Sequence, residues 1–432
     1  MVEMNAKAQS VENNQKSTGA YIKHLLFENM VPILFIIMCL IGVKLSKLPV
    51  PFIMNELVTR LARNAFVVLA LIIPVLAGMG LNFAIVLGAM AGQIAIIAVI
   101  HWQIEGLSGL LLTVILSTPF AVAFGYLTGK LLNKTKGQEM ITSMILGFFA
   151  NGVYQLVFLF FIGTIIPMKN PVLVLSGGVG IKNTIDLLAI KYSLDNIIKW
   201  DMFKTLFVFG SLYMLILIGM TAYRHVIKKH EIKNKLKLSL YILLGILMTA
   251  TGYVMMNSKS MYKIVMIPVV TFIVIGILCL FNVFIVKTKL GQEFRTVGQD
   301  MHIAKVSGIH VDKVRVIAIV ISTVLAGWGQ IIFLQNLGTL NTYGSHEQVG
   351  MFAVAALLIG GASVTKATIG HAIMGTLLFH TLFIVSPLAG KNLLGSAEIG
   401  EYFRAFVAYG VIGVSLGLHA WKQQVQAKKK AK

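Results

Sequence analysis

The chain has 432 residues, 57% of them hydrophobic and only 12% charged, with a net charge of +21. Soluble globular proteins carry about 25% charged residues, so this composition excludes that class and predicts a polytopic helical membrane protein. The charge alone would also suit a nucleic-acid binder, but the basic residues follow the membrane pattern set out below.

The first 29 residues are polar and are expected to form a cytoplasmic segment. The apolar run after them lacks a small-residue cleavage site, so it reads as a retained span rather than a signal peptide. Twelve apolar runs follow one another, at about 30–48, 63–79, 81–100, 107–129, 140–162, 202–222, 238–257, 264–286, 314–334, 349–363, 368–388 and 402–421. About 20 apolar residues cross the hydrocarbon core of a bilayer. The expected fold is therefore all-α, with ten to twelve transmembrane segments in a single domain over 30–421 and a basic tail over 422–432. Arg60 and Arg63 precede the second run, and 52–63 is expected to lie as an interfacial helix. Cys39 and Cys279 fall in apolar runs as packing residues, with no disulfide framework.

Two junctions are short and glycine-rich. Pro74, Gly78, Gly80 and Asn82 join the second and third runs, and Gly360, Gly361, Thr365 and Gly370 join the tenth and eleventh. Such junctions predict broken helices, since irregular backbone at membrane depth is tolerated only against protein or a water-lined cavity. They also suggest two related halves, with KTKGQE (134–139) and KTKLGQE (287–293) as a faint echo.

With the N-terminus placed inside, 24 of the 37 Lys and Arg residues fall on the cytoplasmic side, leaving 13 outside, while acidic residues divide evenly. That is the positive-inside pattern. It puts both termini and the basic connector 225–237 in the cytoplasm, the long 163–201 loop outside, and the 428–432 KKKAK near anionic headgroups. No nucleic-acid partner is needed to explain the charge.

All sixteen acidic residues fall in loops or at span ends, and no G-x-x-x-x-G-K-[ST] phosphate loop is present. Ion-driven carriers usually hold a charge within a span, so energy is expected from another subunit. The polar residues inside the runs are amides and histidines: Asn82, Gln93, Asn151, Gln155, Asn282, Gln330, His371 and His380. Amides donate and accept, so Asn82, Gln93, Asn151, Gln155 and Gln330 suit a neutral solute path, with Phe148 as a stacking face. The same amides also serve as interhelical hydrogen bonds, and the aromatics as packing. His371 and His380 have no third ligand nearby, so no metal site is expected. No nucleophile–base constellation supports an enzyme.

Between two apolar runs lies a long basic segment, 287–313, containing GQEFRTVGQDMHIAKVSGI (291–309). It resembles the ATPase-contacting loop in permease subunits of ATP-binding-cassette importers, in the sugar, nucleoside and branched-chain amino acid branch. Gly291, Arg295, Val297, Gly298, Ala304, Gly308 and Ile309 match the pattern, whereas Asp300 stands at a usual Asn and Thr296 and Lys305 at usual Ala positions. GLNFAIVLGAMAG (80–92), KGQEMITSMILGFFANG (136–152) and FAVAALLIGGASVTKATIGHAIMGTLL (352–378) resemble further segments of the family, in order.

The resemblance implies a non-enzymatic transport subunit of a bacterial cytoplasmic membrane. It implies an ATPase partner that binds ATP and Mg, a second permease subunit and an extracytoplasmic solute-binding protein. Arg295, Gly298, Asp300, Ala304, Lys305, Gly308 and Ile309 are then the expected ATPase-coupling residues. This chain is expected to bind no cofactor or metal itself. The 136–152 likeness leans to nucleosides or simple sugars. The alternative is a secondary transporter or channel for a small neutral solute.

Overall fold

The computed structural model describes residues 29–223 and 235–430. The N-terminal segment and most of the 225–237 connector lie outside the described residues. Each apolar run carries a helix: α1 (Met30–Ser46), α2 (Val50–Ala70), extended by the short α3 (Ile72–Leu76), α4 (Ile85–His101), α5 (Gly106–Lys134) and α6 (Glu139–Leu156). Then come α7 (Met202–Ala222), α8 (Lys235–Met256) and α9 (Val269–Lys287). Two short helices follow, α10 (Lys289–Gln299) and α11 (Met301–Val306). The long α12 (Val311–Leu337), α13 (Ser345–Ile359), α14 (Ile369–Leu394) and α15 (Ala397–Lys430) complete the chain. Helices satisfy their own backbone groups, which is what allows them to cross hydrocarbon.

Eight helices among the described residues are long and apolar enough to span. Two of the shorter ones are the broken ones. At 1.5 Å per residue, the 17 residues of α4 reach about 26 Å. The 15 residues of α13 reach only about 22 Å, short of a ~30 Å core. α4 begins at one glycine-rich junction and α13 ends at the other.

The expectation for 52–63 is corrected. Those residues do not form a separate interfacial helix but run without interruption within α2. Arg63 is accommodated because its Nε donates to Asn336 Oδ1 at 2.7 Å. Asn336 Nδ2 in turn donates to the buried Asp195 at 2.6 Å.

α12 is the central helix. Two-thirds of its span is buried, against 11% for α7 and for α8, which pack on each other at the periphery. Small residues let α12 approach its neighbours. A Cβ on Gly88 of α4 would lie 2.3 Å from the Thr323 carbonyl, and one on Gly125 of α5 would lie 2.8 Å from Val320 Cα. Lipid tails are as apolar as leucine, so such close packing is what holds spans together.

Two small antiparallel ladders lie at the opposite end of the bundle from α10–α11. β1 (Thr184–Asp186) pairs with β4 (Thr339–Asn341), and β2 (Lys199–Asp201) pairs with β3 (Met266–Pro268). The 163–201 segment is thus a folded cap rather than an open loop. Leu173, Ile181, Ile185, Leu187 and Ile190 bury their side chains in it, and Tyr192 N–H bonds the Gln335 carbonyl over the end of α12. Cys39 and Cys279 are free thiols.

Candidate translocation and coupling site

The segment 287–313 folds as a helix pair set under the two helix breaks. Thr288 ends α9 and caps α10, its hydroxyl accepting from Gly291 N–H at 3.2 Å. Gly291, Phe294 and Val297, spaced by three, bury one face of α10. Next to them Gly298 touches backbone: its Cβ position is 2.2 Å from the Leu76 carbonyl oxygen and 3.0 Å from Gly78 N. Asp300 then closes α10 and caps α11, accepting from His302 N–H at 2.7 Å and Ile303 N–H at 3.0 Å. Those two donors hold its carboxyl below the usual carboxylate range.

The seven expected coupling residues divide by exposure. Arg295, Asp300, Lys305 and Gly308 are exposed, Gly298 and Ile309 are partly buried, and Ala304 is fully buried. Ala304 is therefore not an outward small position; it packs α11 onto the bundle. The outward apolar residues of α11 are Ile303 and Val306, 57% and 77% exposed. Arg295 borders a cavity of about 560 Å³ with Asn282, Gln292 and Thr368, between α9, α10 and the second break.

The two breaks meet each other. A Cβ on Gly80 would lie 2.9 Å from Val364 and 3.3 Å from Met140. Gly78, Gly80 and Gly361 all take positive φ, at 72°, 66° and 93°, which only glycine adopts without strain. At the second break α13 and α14 cross with backbones in contact, since a Cβ on Gly360 or Gly375 would lie 1.8 Å from a carbonyl of the other helix.

Three helices bring two of the predicted amides together. His346, in the first turn of α13, places Nδ1 2.9 Å from the Gln93 amide of α4 and Nε2 3.0 Å from Asn151 Oδ1 of α6. Asn151 Nδ2 donates to the Glu347 carboxylate. Gln93, the imidazole, Asn151 and Glu347 thus form one chain of hydrogen bonds, and members of such a chain polarise one another. Tyr154 packs on the imidazole at 4.9 Å and stacks with Phe158 at 4.3 Å. Glu347 opens into a cavity of about 410 Å³ bordered by Phe83, Phe148, Asn341, Gln348 and Tyr409.

The other predicted path residues lie elsewhere. Asn82 is buried at the first break, where its Oδ1 accepts from Ala84 N–H at 3.1 Å and so shapes the entry to α4. Gln330 is fully buried on α12 beside Gly92, and its amide makes no hydrogen bond. Gln155 is half-buried and takes no part in the His346 network. His346 and Glu347 are not among the residues the sequence singles out, because the tenth apolar run begins only at about 349. The signal available was a polar pair directly before an apolar run, which is where helices begin.

Nor is the membrane domain free of buried charge. Arg315, at the start of α12, is fully buried and pairs with Glu139 at 2.5 Å, and its other contacts reach the Leu132 carbonyl at 3.3 Å and Met301 Sδ at 3.0 Å. It ties α5, α6, α11 and α12 together at one end of the bundle.

A family model described as the branched-chain amino acid transport system / permease component matches residues 53–414. The xylose transport system permease protein XylH of Haemophilus influenzae is 28% identical to the chain over 141 residues. That alignment takes in 33% of this chain and 36% of the relative, so the chain spans about a third of that protein's length. No solved structure is significantly similar. With a match that covers most of its length, including both breaks and the α10–α11 pair, the chain belongs to the family of branched-chain amino acid transport system permease components.

Proposed function

We propose that this chain is the permease subunit of an ATP-binding-cassette importer that moves a small, hydroxyl-rich solute. A simple sugar or nucleoside is favoured over a branched-chain amino acid. The observation that carries the reading is α10–α11. Its inner face is wedged against Leu76 and Gly78 at the first break, while Ile303 and Val306 stand apolar and uncovered on its outer side. A push on α11 from a partner would therefore reach the membrane helices through backbone contacts that cannot give. The partner is an ATPase subunit that binds ATP and Mg.

By the Lys and Arg bias, α10–α11 and both termini are cytoplasmic in a bacterial inner membrane, and the 163–201 cap faces outward to receive a solute-binding protein. A second permease subunit completes the path. The solute meets the Glu347 cavity, where Phe148 and Tyr409 offer ring faces and Glu347, Asn341 and Gln348 offer hydrogen-bond partners. A carboxylate with aromatic faces suits donors on a ring, as in pentoses and ribosides. Xylose, the solute in the relative's name, is the first to try.

Glu347 also favours a second reading. Ion-coupled carriers use carboxylates set in membrane helices, and the sequence had suggested none. Uptake into proteoliposomes decides between the two. The importer reading requires the cognate ATPase, the binding protein and internal ATP. Uptake by the chain alone, driven by a proton or sodium gradient, would favour the carrier and discard the importer.

A further inference from the structure

On the α10–α11 side of the bundle, α5 and α12 line a cavity of about 1090 Å³ that lies apart from the solute path, with the expected coupling residues Lys305 and Ile309 at its edge. Its lower wall is strongly basic. Lys130 and Lys134 come from the end of α5, Lys136 from the turn after it, Lys305 from α11 and Lys313 from the start of α12. The acidic residue in the wall is Asp312, and Lys136 occupies it at 2.5 Å. The other four lysines have no acidic partner among the described residues. The N-terminus of α12 adds its own positive end.

The upper wall is of a different kind. Val316, Ile317, Val320 and Ile321 line it from α12, and Tyr126 from α5, with the Lys130 ammonium 5.4 Å from the Tyr126 ring centre. The cavity thus joins a cationic floor to an apolar groove that climbs along α12 towards the membrane interior.

We propose that this cavity is a binding site for one anionic phospholipid of the cytoplasmic leaflet. The phosphate and headgroup sit among Lys130, Lys134, Lys305 and Lys313, and an acyl chain lies along Val316, Val320 and Ile321. Basic pockets between membrane helices on the cytoplasmic side hold anionic headgroups. The apolar groove selects a lipid over a soluble anion, because a free phosphate or nucleotide would leave that wall unused. The site draws on α5, α11 and α12 together. A seated lipid therefore bridges the outermost coupling helix to α5 and α12.

The test uses the full-length chain purified in detergent and incubated with phosphatidylglycerol or phosphatidylcholine of identical acyl chains. Native mass spectrometry should find one phosphatidylglycerol retained per protomer and phosphatidylcholine lost. The Lys130→Gln, Lys134→Gln, Lys313→Gln triple variant removes three exposed charges and leaves the Lys136–Asp312 and Arg315–Glu139 pairs intact. Each lysine near an anionic surface is worth about a fivefold factor, so retention should weaken about a hundredfold. Millimolar inorganic phosphate should not displace the lipid. Equal retention of the two lipids by the wild-type chain would overturn the proposal without any variant. Wild-type retention by the triple variant, or displacement of the lipid by inorganic phosphate, would overturn it as well.

Discussion

Replacing Gly298 with alanine should uncouple the helix pair from the membrane helices. The added Cβ would stand 2.2 Å from the Leu76 carbonyl oxygen, whereas ordinary contact begins near 3.4 Å, so α10 and the first break must part by about 1.2 Å. Both neighbours are backbone, and no rotamer change relieves the clash. In an isolated helix alanine would be better than glycine by about 1 kcal/mol. Overpacking of this kind costs about 1–3 kcal/mol, so the net change should lie near 0–2 kcal/mol of destabilisation. The protein should still insert and purify. In proteoliposomes with ATPase and binding protein, solute-dependent ATP hydrolysis and uptake should fall about tenfold, the loss that corresponds to about 1.4 kcal/mol of lost coupling. A Gly298→Ala protein that is more stable than wild type and transports at full rate would refute the reasoning, because the α10–break contact would then not transmit the movement.

Glu347→Gln keeps shape but removes the charge, and Asn151→Leu breaks the hydrogen-bond chain to His346. Both should reduce uptake while thermal stability changes by no more than about 2 kcal/mol, and full uptake in both would remove the cavity from the path. Arg315→Met leaves Glu139 buried and unpaired, which should cost about 3–5 kcal/mol, and Arg315→Met with Glu139→Met should recover much of it in a thermal melt. Ala304→Glu forces a charge into packed surroundings and should abolish folding of the α11 region, whereas Gly308→Glu meets open space and is strained only by its φ of 81°. Equal protease sensitivity of the two variants at the 300–310 segment would contradict this difference. Asp300 is held below the usual carboxylate range, so its cap on α11 is present above the ordinary aspartate pKa and is lost only as pH falls through the lowered value. Hydrogen exchange of the His302 and Ile303 amides should therefore stay slow from neutral pH down past the ordinary aspartate range. Early loss of protection there would rule out the cap.

Much of this was legible in the residues. Apolar length located the helices, because the bilayer imposes one scale on every span, but of the twelve runs only eight carry helices long and apolar enough to span among the described residues. The glycine runs at 78–80 and 360–361 marked the breaks, since positive φ leaves few other choices. Thr288 and Asp300 are residues that cap helices, a signal of the two short helices that the sequence reading did not use. What could not be read was which polar groups meet. Gln93, Asn151 and His346 are separated by tens to hundreds of positions and come together only through the packing of α4, α6 and α13. Gln330 and Gln155 carry the same amide chemistry and are left out of that group, Gln330 because it stands on α12 and Gln155 because it lies one turn beyond Asn151 on α6. Arg63 finds its partners only in the fold, Asn336 from the far end of α12 and, through it, Asp195 from the outer cap. Ala304 was expected among the ATPase-coupling residues, yet it lies on the buried face of α11. Hydrophobicity and backbone geometry are local properties, and a sequence states them directly. The partner that satisfies a buried polar group is a property of the packed bundle, and only the tertiary structure decides it.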